Sequence, residues 1–202
     1  MIRPFGEAAL LVELESSDQA QALTASLLTD PPPGMIEPVP GLASLVVELD
    51  PLAASPERVA TIIERRLAKL DPMRPAGRLH SIAVVYDGPD LDVVATLTGH
   101  SRSELVALHT SVELRVLFCG FAPGFAYLGD LPAEMRVERL ATPRTRTPAG
   151  SVAIAGSMSG IYPADLPGGW RVIGHTAVSL FDARRDPPAL LLPADRVRFT
   201  PA

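Results

Sequence analysis

The stretch TPRTRTPAGSVAIAG, residues 142–156, decides how the second half of the chain is read. Pro143 disfavours the helical region for Thr142, and Pro148 does the same for Thr147. Each proline also fixes its own φ. The segment between them is therefore extended. Side chains two apart in an extended chain share a face and sit roughly 6.5–7 Å apart, so Arg144 and Arg146 point together, with Thr145 opposite. Two guanidinium forks at that spacing suit a carboxylate or a phosphate, which arginine grips bidentately. Two solvated loop arginines, or two neutralised by acids of the same chain, remain the plain alternative.

Working outward, GSVAIAG is followed by further short apolar runs between glycines and prolines: WRVIG (170–174), AVSLFD (177–182) and ALLLPADRVRFTP (189–201). Upstream, VELRVLFCG (112–120) alternates apolar and polar residues, and LHSIAVVYD (79–87) reads as another strand. Many short strands at close spacing predict a β-barrel or sandwich. Two short helices interrupt them, GPDLDVVATLTG (88–99) and SRSELVALHTS (101–111). Ser101 and Glu104 form a capping box for the second.

The first half is different in kind. GEAALLVEL (6–14) predicts a strand, and SSDQAQALTASLL (16–28) a helix that Ser16 and Gln19 begin as a capping box, with Ala20, Leu23 and Leu27 inward. GMIEPVPG and GLASLVVELD (34–50) predict two strands joined at Pro40–Gly41. SPERVATIIERRLAKLD (55–71) predicts a helix with Ser55 as its cap, Pro56 in its first turn, and a stripe of Val59, Ile62, Ile63, Leu67 and Leu70. DPMRPAG (71–77) reads as a linker. Residues 1–77 carry five more acids than bases, whereas the remainder is balanced within an overall charge of −5.

A chain of 202 residues that is 47% hydrophobic can bury a substantial core. No basic stripe suggests nucleic acid, and no apolar run suggests a membrane span or a secretory signal, so a cytoplasmic protein is expected. The one cysteine excludes an internal disulfide. Of the 18 basic residues only Lys69 is lysine. A P-loop, a kinase strand lysine and a serine–lysine amidase relay all require lysine in a motif that is absent. No cluster has metal-ligand spacing. Cys119 reads as a buried thiol, and His80, His100 and His109 as structural histidines.

Three stretches of the second half are dense in glycine, proline, aromatics and arginine: GFAPGFAYLGDLP (120–132), TPRTRTPAGSVAIAG (142–156) and GIYPADLPGGWRVIGHT (160–176). With YDGPDLDVVA (86–95) and LLLPADRVRF (190–199), they closely resemble the KipI/PxpB family. Its members are known as the 5-oxoprolinase B subunit, as allophanate hydrolase subunit 1, or as an inhibitor of a sporulation histidine kinase. The resemblance implies a small α+β N-terminal domain (1–77) and an all-β, cyclophilin-like barrel C-terminal domain (78–202). It implies a KipA/PxpC-type partner and a third, PxpA-type subunit. With them the complex opens 5-oxoproline to glutamate using ATP, which the partner subunits mainly bind, and the chain alone is not catalytic.

On that resemblance Arg144 and Arg146, with Ser151 in the same loop, face an anionic group such as a substrate carboxylate. Gly124, Phe125 and Tyr127 form one wall, and Tyr162, Gly168, Gly169 and Trp170 another. Trp170 lies over a pocket, anchors a partner or belongs to the barrel core. His175 stands where many relatives have arginine, which puts a titratable group where they hold a fixed charge. The other readings are a subunit acting on urea-derived carbamoyl compounds and a regulatory protein that docks on a histidine kinase.

Overall fold

The computed structural model describes residues 1–70 and 77–202. The chain divides into two compact units between Ala76 and Gly77. The linker expected at 71–77 falls, but for Gly77, outside the described residues.

The first unit runs β1 (Ile2–Pro4), β2 (Ala9–Glu13), α1 (Ser17–Thr29), β3 (Met35–Pro40), β4 (Ser44–Leu49) and α2 (Pro56–Leu67). Its sheet has the order β1-β2-β4-β3 and every pair is antiparallel. The alternation of β2 and β4 puts Leu10, Val12, Leu45 and Val47 on the face that meets Leu23, Leu27, Val59 and Ile63 from the two helices. Both expected caps form: the Ser16 and Ser55 hydroxyls accept from the Gln19 and Arg58 amides. Gln19, however, reaches back to the amide of Glu15 at 2.8 Å, one residue earlier than a capping box requires. β1 was not expected, because three residues are too few to show a period. It adds to β2 through main-chain pairing, with an ion pair from Arg3 to Glu13 at 3.4 Å and Ile2 packed against the core.

The second unit continues β5 (Leu79–Val84), α3 (Leu91–Thr98), α4 (Arg102–Ser111), β6 (Leu114–Cys119), β7 (Ala126–Gly129), a 3-10 turn (Ala133–Met135), β8 (Arg144–Thr147), β9 (Ser151–Ala155), β10 (Met158–Ile161), β11 (Leu166–Gly168), β12 (Arg171–His175) and β13 (Arg196–Pro201). Seven strands form one sheet in the order β12-β9-β10-β7-β6-β13-β5. The pair β13–β5 is parallel and its other pairs are antiparallel. The two edges then meet. The Val85 and His175 amides each donate to the other's carbonyl at 2.9 Å, so the sheet curls into a nearly closed barrel. Val116, Leu128, Ile154, Ile173 and Phe199 fill its interior.

Three expectations are corrected. The second unit is mostly β, not all-β, because α3 and α4 pack against the barrel. AVSLFD forms no strand beyond a single bridge from Phe181 to Ala189. In ALLLPADRVRFTP only Arg196–Pro201 is a strand. Pro193 lacks the amide a ladder needs, and Ala194 adopts a positive φ of 75°.

His109 shows how α4 is fixed. It is fully buried and its ring stacks on Phe199, with centroids 4.5 Å apart. The Ser159 hydroxyl donates to the Ala153 carbonyl at 3.2 Å. His109 Nε2–H therefore donates to Ser159 Oγ at 3.1 Å, and Nδ1 accepts the Tyr86 hydroxyl at 2.8 Å. Burial lowers the imidazole pKa to about 3 and raises that of the Tyr86 phenol. Below a pH of about 6.5 the unfolded chain binds a proton that the folded chain refuses, so stability falls with acidification until about pH 3. Between pH 7 and pH 5 this group should remove about 2 kcal/mol of stability. His109→Gln should be less stable at pH 7 yet lose correspondingly less on going to pH 5. Urea denaturation at both pH values checks this, and an equal loss in the two proteins would contradict it.

Candidate functional site

The ribbon of β8 and β11 stands apart from the barrel sheet, and its register shifts between Leu166 and Gly168. β8 is extended, as its flanking prolines require. It borders a cleft of about 540 Å³ that Arg144, Arg146, Ser151, Val172, His175 and the loop Asp87–Pro89 line. The structure thus gathers Arg144, Arg146, Ser151 and His175 at one place.

Each basic side chain of the cleft already has a carboxylate beside it. Arg144 donates to Asp90 Oδ1 at 2.7 Å and to the Trp170 carbonyl at 3.4 Å. Arg146 donates through Nε to Asp165 Oδ2 at 2.9 Å, and Asp165 Oδ1 accepts the Ala149 amide at 2.9 Å. Those bonds, the Ala149 amide first and Arg146 next, hold the Asp165 carboxyl below its usual pKa. His175 Nδ1 lies 2.8 Å from Asp87 Oδ1, with both side chains about half exposed. Of the two readings left open by the sequence, both arginines show the plain one, each paired with an acid of its own chain. Their exposure separates them. The Arg144 side chain is 29% exposed and Arg146 is 74% exposed, so an incoming anion can reach Arg146 by displacing an exposed partner, a low barrier for a surface ion pair.

The second set of expected residues forms a different feature. Phe125, Tyr162 and Trp170 are buried together, with Tyr127 partly buried beside them. Their rings meet edge to face, Phe125 lying 5.6 Å from Tyr162 and 5.7 Å from Trp170, the geometry aromatic quadrupoles favour. The two anticipated walls therefore face each other, and with Gly168, Gly169 and the exposed Phe121 they enclose a small depression of about 130 Å³. Trp170 belongs to the core, where it is 6% exposed. Gly124 lines neither feature. Its φ is +83°, and a Cβ there would approach the Phe181 Cβ to 2.8 Å, so it shapes the turn between β6 and β7. The Arg144–Trp170 bond links this aromatic cluster to the cleft.

Sequence reasoning missed Asp87, Asp90 and Asp165. The first two flank Gly88–Pro89 directly after a strand, and Asp165 follows Tyr162–Pro163–Ala164. Such aspartates in a Gly/Pro turn ordinarily bond the local backbone. Only the fold shows that Asp90 and Asp165 reach across 54 and 19 residues to Arg144 and Arg146. Among the described residues no group of three or more His, Cys, Asp or Glu could hold a metal ion.

The family described as carboxyltransferase domain, subdomain C and D, matches residues 1–191. The chain belongs to this family. It is 44% identical to the 5-oxoprolinase B subunit of Escherichia coli O157:H7, over 97% of this chain and 93% of that one. It is 36% identical to the 5-oxoprolinase B subunit of Bacillus subtilis, over 98% and 91%. The solved structure of TTHA0988 superposes with a TM-score of 0.85 at 38% identity, over all of this chain and 40% of that longer one. The urea amidolyase of Saccharomyces cerevisiae is 32% identical over 55% of this chain, which spans 6% of it.

In this member of the carboxyltransferase family Gly150 holds the arginine ribbon to the barrel. Its amide donates to the Tyr162 carbonyl at 2.8 Å, and its carbonyl accepts the Thr176 amide at 2.9 Å. Its φ is +81°, and a Cβ would stand 2.3 Å from the Thr176 oxygen. Gly150→Ala should lower stability by about 2 kcal/mol or more, from the left-handed strain and the clash together. A thermal melt checks this; an unchanged midpoint would contradict the assignment.

Proposed function

We propose that this protein is the B subunit of an ATP-dependent 5-oxoprolinase, which opens 5-oxo-L-proline to L-glutamate only as part of a complex. The observation that carries this reading is the 44% identity to a 5-oxoprolinase B subunit along nearly the full length of both chains. A KipA/PxpC-type subunit completes the pocket and a PxpA-type subunit joins them, and the partners hold the nucleotide. The single lysine and the lack of a phosphate-binding loop in this chain favour that division. The second unit is read as a cyclophilin-like barrel and the units as separate domains, 1–77 and 78–202. A cytoplasmic location goes with this reading; no helix among the described residues is long and apolar enough to cross a membrane.

In the complex, the exposed Arg146 exchanges Asp165 for the substrate carboxylate, and Arg144 supplies a second, fixed donor. The lactam is a resonance-stabilised amide whose opening is unfavourable, and coupling to ATP supplies the driving force. Ser151 and His175 complete the cleft wall, with Phe125, Tyr127, Tyr162 and Trp170 as its rigid backing and Gly124 as a turn that fixes Phe125. A second reading, a subunit acting on urea-derived carbamoyl compounds, draws on the partial identity to urea amidolyase. It requires an amidase relay from another polypeptide.

The test is co-expression with both partner subunits and assay of 5-oxoproline, urea and allophanate with ATP. The expected result is glutamate release from 5-oxoproline that depends on ATP and on every subunit, with none from this chain alone. Turnover of a urea-derived compound in its place would overturn the proposal, as would lactam opening by the isolated chain.

A further inference from the structure

Asp90 directly precedes α3, at its N-cap position. An aspartate there ordinarily accepts a hydrogen bond from the first helical turn. Asp90 makes no such bond, although it is only 5% exposed. Its two oxygens face the other way. Oδ1 accepts Arg144 at 2.7 Å, and Oδ2 accepts the Val172 amide at 2.7 Å. The Asp90 amide in turn donates to the Val172 carbonyl at 3.0 Å, and the Gly88 amide to that of Ile173 at 3.2 Å. The loop before α3 is thereby sewn to β12, and the carboxylate is held rigid from two sides. A local capping rule is set aside so that one buried carboxylate can grip one arginine, and such departures concentrate at functional sites.

We propose that Asp90 is the positioning residue of the cleft: it locks the Arg144 guanidinium in one orientation, as a prealigned donor for the carboxylate of the bound substrate. The inference rests on the 5-oxoprolinase reading for the identity of that substrate. Arg144 has five N–H donors; one goes to Asp90 and one to the Trp170 carbonyl, which leaves others for the cleft it lines. Asp165 does not play the same part for Arg146, because that pair is largely exposed and free to exchange. The two arginines thus divide the work. Arg144 is preset by a buried anion, and Arg146 is recruited by the ligand.

Asp90→Asn keeps the size of the side chain and an oxygen for the Val172 amide but removes the charge from Arg144. In the reconstituted complex it should raise the KM for 5-oxoproline by about tenfold or more, the scale of one charge-assisted hydrogen bond, with the KM for ATP unchanged. Arg144→Ala should do the same, and the double variant should be no worse than Arg144→Ala alone, since the two residues act as one unit. Multiplying losses in the double variant, or a wild-type KM in Asp90→Asn, would overturn the proposal. A second measurement needs no turnover. Guanidinium ¹⁵N NMR of the isolated wild-type chain should show Arg144 Nη resonances separated by restricted rotation, and Asp90→Asn should merge them. Freely rotating Arg144 in the wild type would overturn the proposal even with the complex active. Restricted rotation with no turnover of 5-oxoproline by the wild-type complex would instead sink the functional reading and leave the positioning role standing.

Discussion

The barrel depends on one two-bond contact. Val85 and His175 exchange their main-chain hydrogen bonds at 2.9 Å, and that exchange joins the β5 and β12 edges of the seven-stranded sheet. A sheet left open there would present two rows of unpaired amides and carbonyls. The consequence reaches beyond stability. Once Val85 is fixed to His175, the next five residues must run along β12, which sets Asp87 beside the His175 ring, Gly88 over Ile173 and Asp90 over Val172. Closure of the barrel and construction of one cleft wall are therefore the same event.

The electrostatics of the cleft follow from this placement. The loop at the closure supplies Asp87 and Asp90, and the turn before β11 supplies Asp165. The basic side chains Arg144, Arg146 and His175 each find one of these carboxylates, so the cleft is not a strongly positive funnel. An anion gains from entering by meeting the donors that Arg144 leaves free and by taking over the bond that Arg146 makes to Asp165. That favours a ligand whose shape matches the preset donors over any small anion, because uncompensated charge is not what attracts it. The exposed Arg146 is the group most able to change partner, and the half-buried Arg144 the least.

Much of this was legible before the fold was known. The prolines at 143 and 148 made β8 extended, and the short apolar runs GSVAIAG and WRVIG between glycine and proline turns marked β9 and β12. Ser101 with Glu104 marked the start of α4, and the structure has that capping box in full. The pairing of the arginines was not legible. Nothing in the spacing of Asp90 and Arg144 announces a contact across 54 residues, because it arises from barrel closure and not from a local pattern. The reading of AVSLFD as a strand failed for a related reason. Leu180 is a core residue with Val178 packed against the same core, whereas Ala177 and Phe181 are exposed, and burial without a partner strand does not make a ladder. His109 shows the converse: a histidine in the last turn of a short helix is fully buried because Tyr86 and Ser159, distant in sequence, satisfy both its nitrogens.

Amide hydrogen exchange at Val85, Val172 and His175 in the isolated chain tests the central claim most directly, since these amides carry the closure and the Asp90 clamp. The account predicts protection equal to that of the amides within β9 and β13, lost only when the whole barrel unfolds. Exchange as fast as in the 182–189 loop would contradict it, for the barrel would then stand open and the cleft would have no fixed wall.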